Sequence, residues 1–159
     1  LDRRGDWRLQ GERVTHQGFV ALLNRQYGVD ERGCWFVQNG PQRVFVRLGY
    51  TPWVFRYAAE GLLTHTGAAA GVPAACFLDE EGSALISTEL GVGLLDDRDL
   101  PAFLDECRQE ANVAVDEGNW LKILAGENTT KITWRNLPLL TIRQSTVAEH
   151  FNFRQHPQP

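Results

Sequence analysis

The 159-residue chain has no methionine and only three cysteines, Cys34, Cys76 and Cys107. The cysteines are odd in number, far apart and never form a C-x-x-C pair, which removes zinc-finger and dithiol-redox chemistry. Buried free thiols in a reducing, cytoplasmic compartment are the expectation. No run approaches ~20 uninterrupted apolar residues, so no membrane-spanning helix is expected. A basic excess is also missing. The net charge is −4 with mixed signs, which argues against nucleic acid as the main partner, because phosphate neutralisation needs a basic surface. The chain begins at Leu1 without a Met anywhere, which reads as a fragment or a processed product and leaves a signal peptide open.

Catalytic signatures are equally scarce. No Ser or Cys stands in a nucleophile-elbow context. Gly91-Val92-Gly93 lacks the third glycine and the Lys-Ser/Thr ending of a phosphate loop. Asp96, Asp97 and Asp99 lack the calcium-loop spacing and read as carboxylates gathered at a helix start. The His and Cys spacings fit no closed metal set, and no cofactor is implied. The histidines are scattered. Only His65, in Thr64-His65-Thr66-Gly67, invites a test as a general base. The bland alternative, a half-exposed histidine at a strand end, carries more weight. Asn128-Thr129-Thr130 fits the glycosylation sequon, a triplet that chance produces often.

What the chain does have is internal similarity. Leu1-Asp2-Arg3-Arg4-Gly5 returns as Leu78-Asp79-Glu80-Glu81-Gly82, and Phe19-Val20-Ala21-Leu22-Leu23 as Leu100-Pro101-Ala102-Phe103-Leu104. Gly33-Cys34-Trp35-Phe36 returns as Gly118-Asn119-Trp120-Leu121, and Thr51-Pro52-Trp53-Val54 as Leu137-Pro138-Leu139-Leu140. The order is kept. Two tandem units are therefore expected, 1–66 and 74–151, with an Ala/Gly-rich linker at 67–73, a frayed tail at 152–159, and one body overall.

The local patterns give each unit a β-hairpin, a helix and a three-strand antiparallel meander, an α+β fold. Thr15 can cap the first helix, and Phe19, Leu22 and Leu23 form its stripe. Asn39-Gly40 marks a hairpin between strands 34–38 and 42–48. Residues 53–57 and 62–66 read as strands, as do 74–78 and 84–88. A second helix starts near Asp97 or Asp99 with Pro101 in its first turn. Segments 120–124, 130–134 and 139–143 read as the last strands, and Thr146-Val147-Ala148-Glu149 as a capping box. Short loops favour antiparallel pairing throughout.

Gly5-Asp6-Trp7, the short helix, Gly33-Cys34-Trp35-Phe36-Val37, Gln42-Arg43-Val44-Phe45-Val46 and Thr51-Pro52-Trp53 follow one another as in a small uncharacterised proteobacterial family, which this chain resembles over its first two thirds. The resemblance implies two structural repeats of a helix on a curved antiparallel sheet. It also implies the role in signal transduction suggested for that family, and it carries over no functional residue.

The block from Gln38 to Tyr57 is the densest in specific chemistry. Arginine beside aromatic residues favours recognition of an anion, a peptide or a base. Arg47, Tyr50, Trp53 and Arg56 are the candidate contacts of a non-catalytic, regulatory module that binds a small molecule or a protein. Two other classes compete with it. One is a small hydrolase using His65 with a nearby carboxylate. The other is a structural domain, such as a homodimer joined through exposed sheet edges.

Overall fold

The computed structural model describes residues 1–127 and 130–158; Asn128 and Thr129 of the sequon lie outside the described residues. The first half opens with a small hairpin, β1 (Arg8–Leu9) and β2 (Glu12–Arg13), followed by helix α1 (Gln17–Arg25). A three-stranded antiparallel sheet comes next, β3 (Tyr27–Val29), β4 (Trp35–Asn39) and β5 (Gln42–Phe45). Asn39-Gly40 does turn the chain, with Asn39 opposite Gln42. The expected strand 42–48 is shorter than its pattern, because β5 ends at Phe45. Beyond it the chain runs extended, with the Val46 and Leu48 amides donating to the carbonyls of Trp35 and Gln155.

Nine strands make the second sheet. They include the hairpin β6 (Trp53–Ala58) and β7 (Gly61–Thr64), then β8 (Ala75–Asp79), β9 (Ala84–Thr88) and β10 (Gly91–Leu95). After β10 come α2 (Leu100–Glu106), β11 (Arg108–Gln109), a 3₁₀ turn (Glu110–Asn112) and β12 (Val113–Ala114). Helix α3 (Glu117–Leu124), β13 (Thr133–Trp134), β14 (Leu137–Ile142) and α4 (Gln144–His150) complete the chain. The spatial order is β12-β11-β13-β14-β8-β9-β10-β6-β7. Two neighbours in it are parallel, β6 with β10 and β14 with β8, against the all-antiparallel expectation. Each parallel pair is closed by a long stretch of intervening chain, as parallel pairing requires.

Alternation along the central strands sends side chains to two faces, and each face buries its own core. Phe77, Leu85, Val92 and Leu94 join Trp7, Trp35, Val37, Val46, Leu48 and Val147 on one face. Cys76, Leu78, Ala84, Ile86 and Leu95 join Phe103, Ile123, Ile132 and Trp134 on the other. The small sheet, α1 and α4 thus cover one side of the large sheet, and α2 and α3 cover the other. Gly93 lets the chain pack closely within the large sheet: a Cβ there would meet the Phe55 ring at 2.5 Å.

The mixed α+β class holds, while several local expectations are corrected. Trp120–Leu124 is helical, not extended: Asp116 caps α3 by accepting from the Asn119 amide at 2.8 Å. The similarity between Gly33-Cys34-Trp35-Phe36 and Gly118-Asn119-Trp120-Leu121 therefore matches a strand with a helix. His16, and not Thr15, caps α1 by accepting from the Phe19 amide at 3.1 Å. The box at Thr146 does not form, since the Thr146 hydroxyl donates to the Arg143 carbonyl at 2.9 Å. The segment 67–73 packs along β7, with Ala70 fully buried and its amide donating to the Leu62 carbonyl. The start of the tail is held rather than frayed: Phe153 is buried, and Arg154 bridges to Cys34. Among the described residues no helix is long and apolar enough to cross a membrane.

Candidate functional site

Helix α1 is amphipathic by sequence, with Phe19, Val20, Leu22 and Leu23 on one side. A helix of this kind gains most of its stability by pressing such a stripe against a core. Yet none of its nine residues is fully buried. Val20, Leu22 and Leu23 are half-buried, and Phe19 keeps 40% of its surface exposed. A polar tether contributes to this placement, since the Trp7 indole N–H donates to the Asn24 Oδ1 at 2.7 Å.

Beneath the stripe lies a hollow of about 730 Å³. Its walls come from α1 (Phe19, Leu22, Leu23), the β1–β2 hairpin, β4 and β5 (Val37, Val44) and the segment Val46–Gly49. Leu9 and Val44 stand at its walls with 62% and 63% of their surface exposed. A volume of that size falls within the range of small-molecule pockets, which are mostly apolar with a few placed polar groups. Its charged members are few. Asp2 accepts from the Arg8 Nε at 2.8 Å and from the Arg4 and Asp6 amides at 2.9 Å each, so Asp2 and Arg8 neutralise one another. Arg47 also lines the hollow and is exposed. Its backbone carbonyl accepts from the Leu1 nitrogen at 2.9 Å. Among the described residues, its guanidinium has no hydrogen-bond or ion-pair partner.

The other residues singled out by sequence do not converge there. Tyr50 is buried. Its hydroxyl donates to the Asp79 Oδ2 at 2.8 Å, and the Arg3 guanidinium stacks on its ring at 4.5 Å. Burial and the Asp79 carboxylate push the phenol well above its ordinary range. Asp79 is itself 2% exposed and also accepts from the Gln144 side-chain amide and the Glu81 and Ser83 backbone amides. This cluster ties the first half of the chain to the β8–β9 turn and α4. Trp53 is half-buried and donates its indole N–H to the Leu90 carbonyl at 2.9 Å. Arg56 lies on β6 and faces Asp96, Nε to Oδ2 at 3.3 Å. Asp96 also holds Arg98 at 2.9 Å, and these hydrogen bonds keep the Asp96 carboxyl down at about 2. The acidic cluster therefore does not cap α2. The Asp99 side chain accepts from the Tyr57 amide at 2.9 Å instead.

His65 sits among aromatic rings, with centroids 5.5 Å from Trp53, 5.6 Å from Tyr27 and 6.2 Å from Trp7. Its Nδ1 accepts from the Val54 amide at 3.3 Å, which assigns the proton to Nε2. Nε2 is buried and has no hydrogen-bond partner. Burial, with positive charge nearby including Arg56, pulls the imidazole down to about 3. No carboxylate bonds to either ring nitrogen, so the partner that a hydrolytic role would need is not beside it. Cys34, Cys76 and Cys107 are free and buried, and burial pushes the Cys76 and Cys107 thiols up to about 12, far from a reactive thiolate. Among the described residues no group of three or more His, Cys, Asp or Glu could hold a metal ion.

Sequence reasoning singled out Arg47 but missed the hollow. The available signal was the amphipathic α1 followed by β5 and the residues just after it, where Val44 and Val46 alternate with Arg43, Phe45 and Arg47.

Comparison with known proteins places these features in context. No curated protein matches the chain. A crystal structure at 2.50 Å of a DUF1285 family protein from Silicibacter pomeroyi DSS-3 is similar, with a TM-score of 0.51, 20% identity and 69% of each chain covered. At that identity the likeness speaks to the fold alone. The DUF2944 family model, described as “Protein of unknown function (DUF2946)”, matches residues 1–158, and the chain belongs to that family.

Proposed function

We propose that this protein is a non-catalytic binding module whose ligand occupies the hollow under α1. The observation that carries the reading is an amphipathic helix with no fully buried residue above an apolar space of about 730 Å³. Unfilled apolar volume forfeits dispersion contacts, and a ligand of matching shape recovers them. Of the candidate contacts, Arg47 belongs to this site. Tyr50, Trp53 and Arg56 lie outside its lining and are engaged structurally, with Asp79, the Leu90 carbonyl and Asp96 respectively. A module with such a site suits a regulatory, cytoplasmic role in which ligand binding alters how α1 sits.

The tandem-unit organisation is part of the same proposal. Its support is a hairpin ahead of a helix in each half, β1–β2 before α1 and β8–β9 before α2, although β10 intervenes in the second. The extra helix α3 and the different strand pairing limit it to that coarse level.

The test is titration with Nile red, a neutral apolar probe whose emission rises in dry surroundings. One saturable site per chain is expected, and Val44→Asp should abolish it. Val44 is 63% exposed, so the variant should fold normally. Non-saturable binding, or binding unaffected by Val44→Asp, would reject the site.

A further inference from the structure

The charges around the hollow point to its ligand class. Four titratable side chains line it: Asp2, Arg8, Arg47 and His156. Asp2 is satisfied by Arg8 and by two backbone amides, and the second arm of Arg8 is spent on the Gly11 carbonyl at 3.1 Å. Gln38 is likewise engaged, by the Gly40 carbonyl and by Arg43. Among the described residues, two of the four remain uncommitted, the exposed His156 imidazole and the Arg47 guanidinium, and of these only Arg47 is a permanent cation. It is anchored by its own backbone, and the walls are mostly apolar, with Gln10, Gln38 and Asn39 as the neutral polar side chains among them. An apolar body and one fixed cation complement a molecule with an apolar body and one anion. A neutral lipid would leave Arg47 unused, and a cationic amphiphile would face it with like charge. A guanidinium is also suited geometrically to a carboxylate or phosphate, which it can grip with two parallel N–H bonds.

We infer that the hollow binds a small anionic amphiphile, its apolar body seated between α1 and β5 and its head group held by the Arg47 guanidinium. The inference rests on the reading of the hollow as a ligand site and adds the chemistry of the ligand. The shared chemistry is a carboxylate or phosphate on an apolar chain, and competition between the two head groups at equal chain length tells them apart. Affinity should climb by about fourfold for each methylene buried until the hollow is full, then level off.

The experiment is displacement of Nile red by decanoate, decyl phosphate, decan-1-ol and decyltrimethylammonium, each below its micellar concentration. One or both anions should displace the probe at concentrations at least ~10-fold lower than the alcohol, the ratio that a charge-assisted contact of about 1.4 kcal/mol gives. The cation should be the weakest. Within the Arg47→Gln protein the ratio of anion to alcohol should fall to near one, and Arg47→Lys should restore part of it. Arg154→Gln, which removes a guanidinium outside the hollow, should keep the full ratio. Equal displacement by anion and alcohol, or a preference that survives Arg47→Gln, would overturn the head-group inference while leaving the site itself standing. If Nile red and all four amphiphiles fail to bind, both the inference and the binding site fall together.

Discussion

Helices α1 and α2 each carry an apolar stripe on one side of the molecule, yet α2 buries Phe103 completely and α1 fully buries none of its nine residues. Phe103 packs on the indole of Trp134 with centroids 5.1 Å apart, and both residues have no exposed surface. Around α2 the core is closed, and Leu100 and Leu104 add to it; a second hollow of about 580 Å³ lies at the far end of α3, lined by Leu78, Ile123, Leu124 and Ile142. On the α1 side, the hairpin β1–β2 and the Trp7–Asn24 bond form part of the frame beside the three-stranded sheet, and the space between stays open. Amphipathic pattern sets which way a helix faces; it does not set how closely the helix approaches. Both faces hold buried cores, and it is the space under α1 that is left open to bind.

The sharpest way to break this contrast is truncation on both sides. Phe103→Ala or Trp134→Ala should cost roughly 3–5 kcal/mol in denaturant melts, the usual range for an aromatic residue removed from a closed core. Phe19→Ala on α1 should cost less than about 1 kcal/mol, because its side chain already faces the open space. Comparable costs on the two sides would mean that the hollow is closed in solution. Asp79 tests the seam between the halves. Asp79→Ala leaves the Tyr50 hydroxyl, the Gln144 amide and two backbone amides without their acceptor, a loss of about 3 kcal/mol. A melt shifted by much less would show that the two halves do not depend on this carboxylate.

A pH series separates the aromatic box around His65 from the rest. His65 is held at about 3 when folded, against an ordinary value near ~6.5 in the unfolded chain. A depressed folded value means that the unfolded chain takes up the proton first. The contribution is therefore fully present above about pH 6.5 and lost as pH falls toward 3. Between pH 7.5 and pH 5 the protein should lose about 2 kcal/mol, and His65→Phe should flatten that slope whatever its effect at neutral pH. The carboxyl of Asp96, held at about 2, works in the same direction but only below about pH 4. A slope between pH 7.5 and 5 that persists in His65→Phe would assign it to another group. The smallest effect should come from filling: Leu23→Phe at the hollow should change stability by less than about 1 kcal/mol, whereas Ala84→Leu in the sealed core should cost 1–3 kcal/mol through overpacking.

Elements with strong local punctuation could be read directly from the chain. The α1 stripe, the Asn39-Gly40 turn, the β8–β9 hairpin and the Pro101 helix start all carry their own signals. Helix α3 is ambiguous in the sequence because Trp120, Leu121, Ile123 and Leu124 make a short apolar run that suits either period. Asp116 before it and Gly126 after it were the cues for a capped helix. The parallel pairs β6–β10 and β14–β8 join segments far apart in sequence, and no local pattern encodes such a partner. The site was legible only in part for a related reason. Arg47 lies in the segment that walls the hollow. Tyr50, only three residues on, turns inward to Asp79, and the alternation along β6 sends Arg56 out to Asp96. Nearness in sequence did not survive the turn at Gly49-Tyr50-Thr51-Pro52.

The contrast between the two helices is tested most directly by amide hydrogen exchange with and without saturating Nile red. The account predicts that α1 amides exchange faster than those of α2 in the free protein, and that the probe slows exchange in α1 and β5 while leaving α2 unchanged. Equal protection of the two helices without probe, or a probe effect centred on α2 and α3, would contradict it.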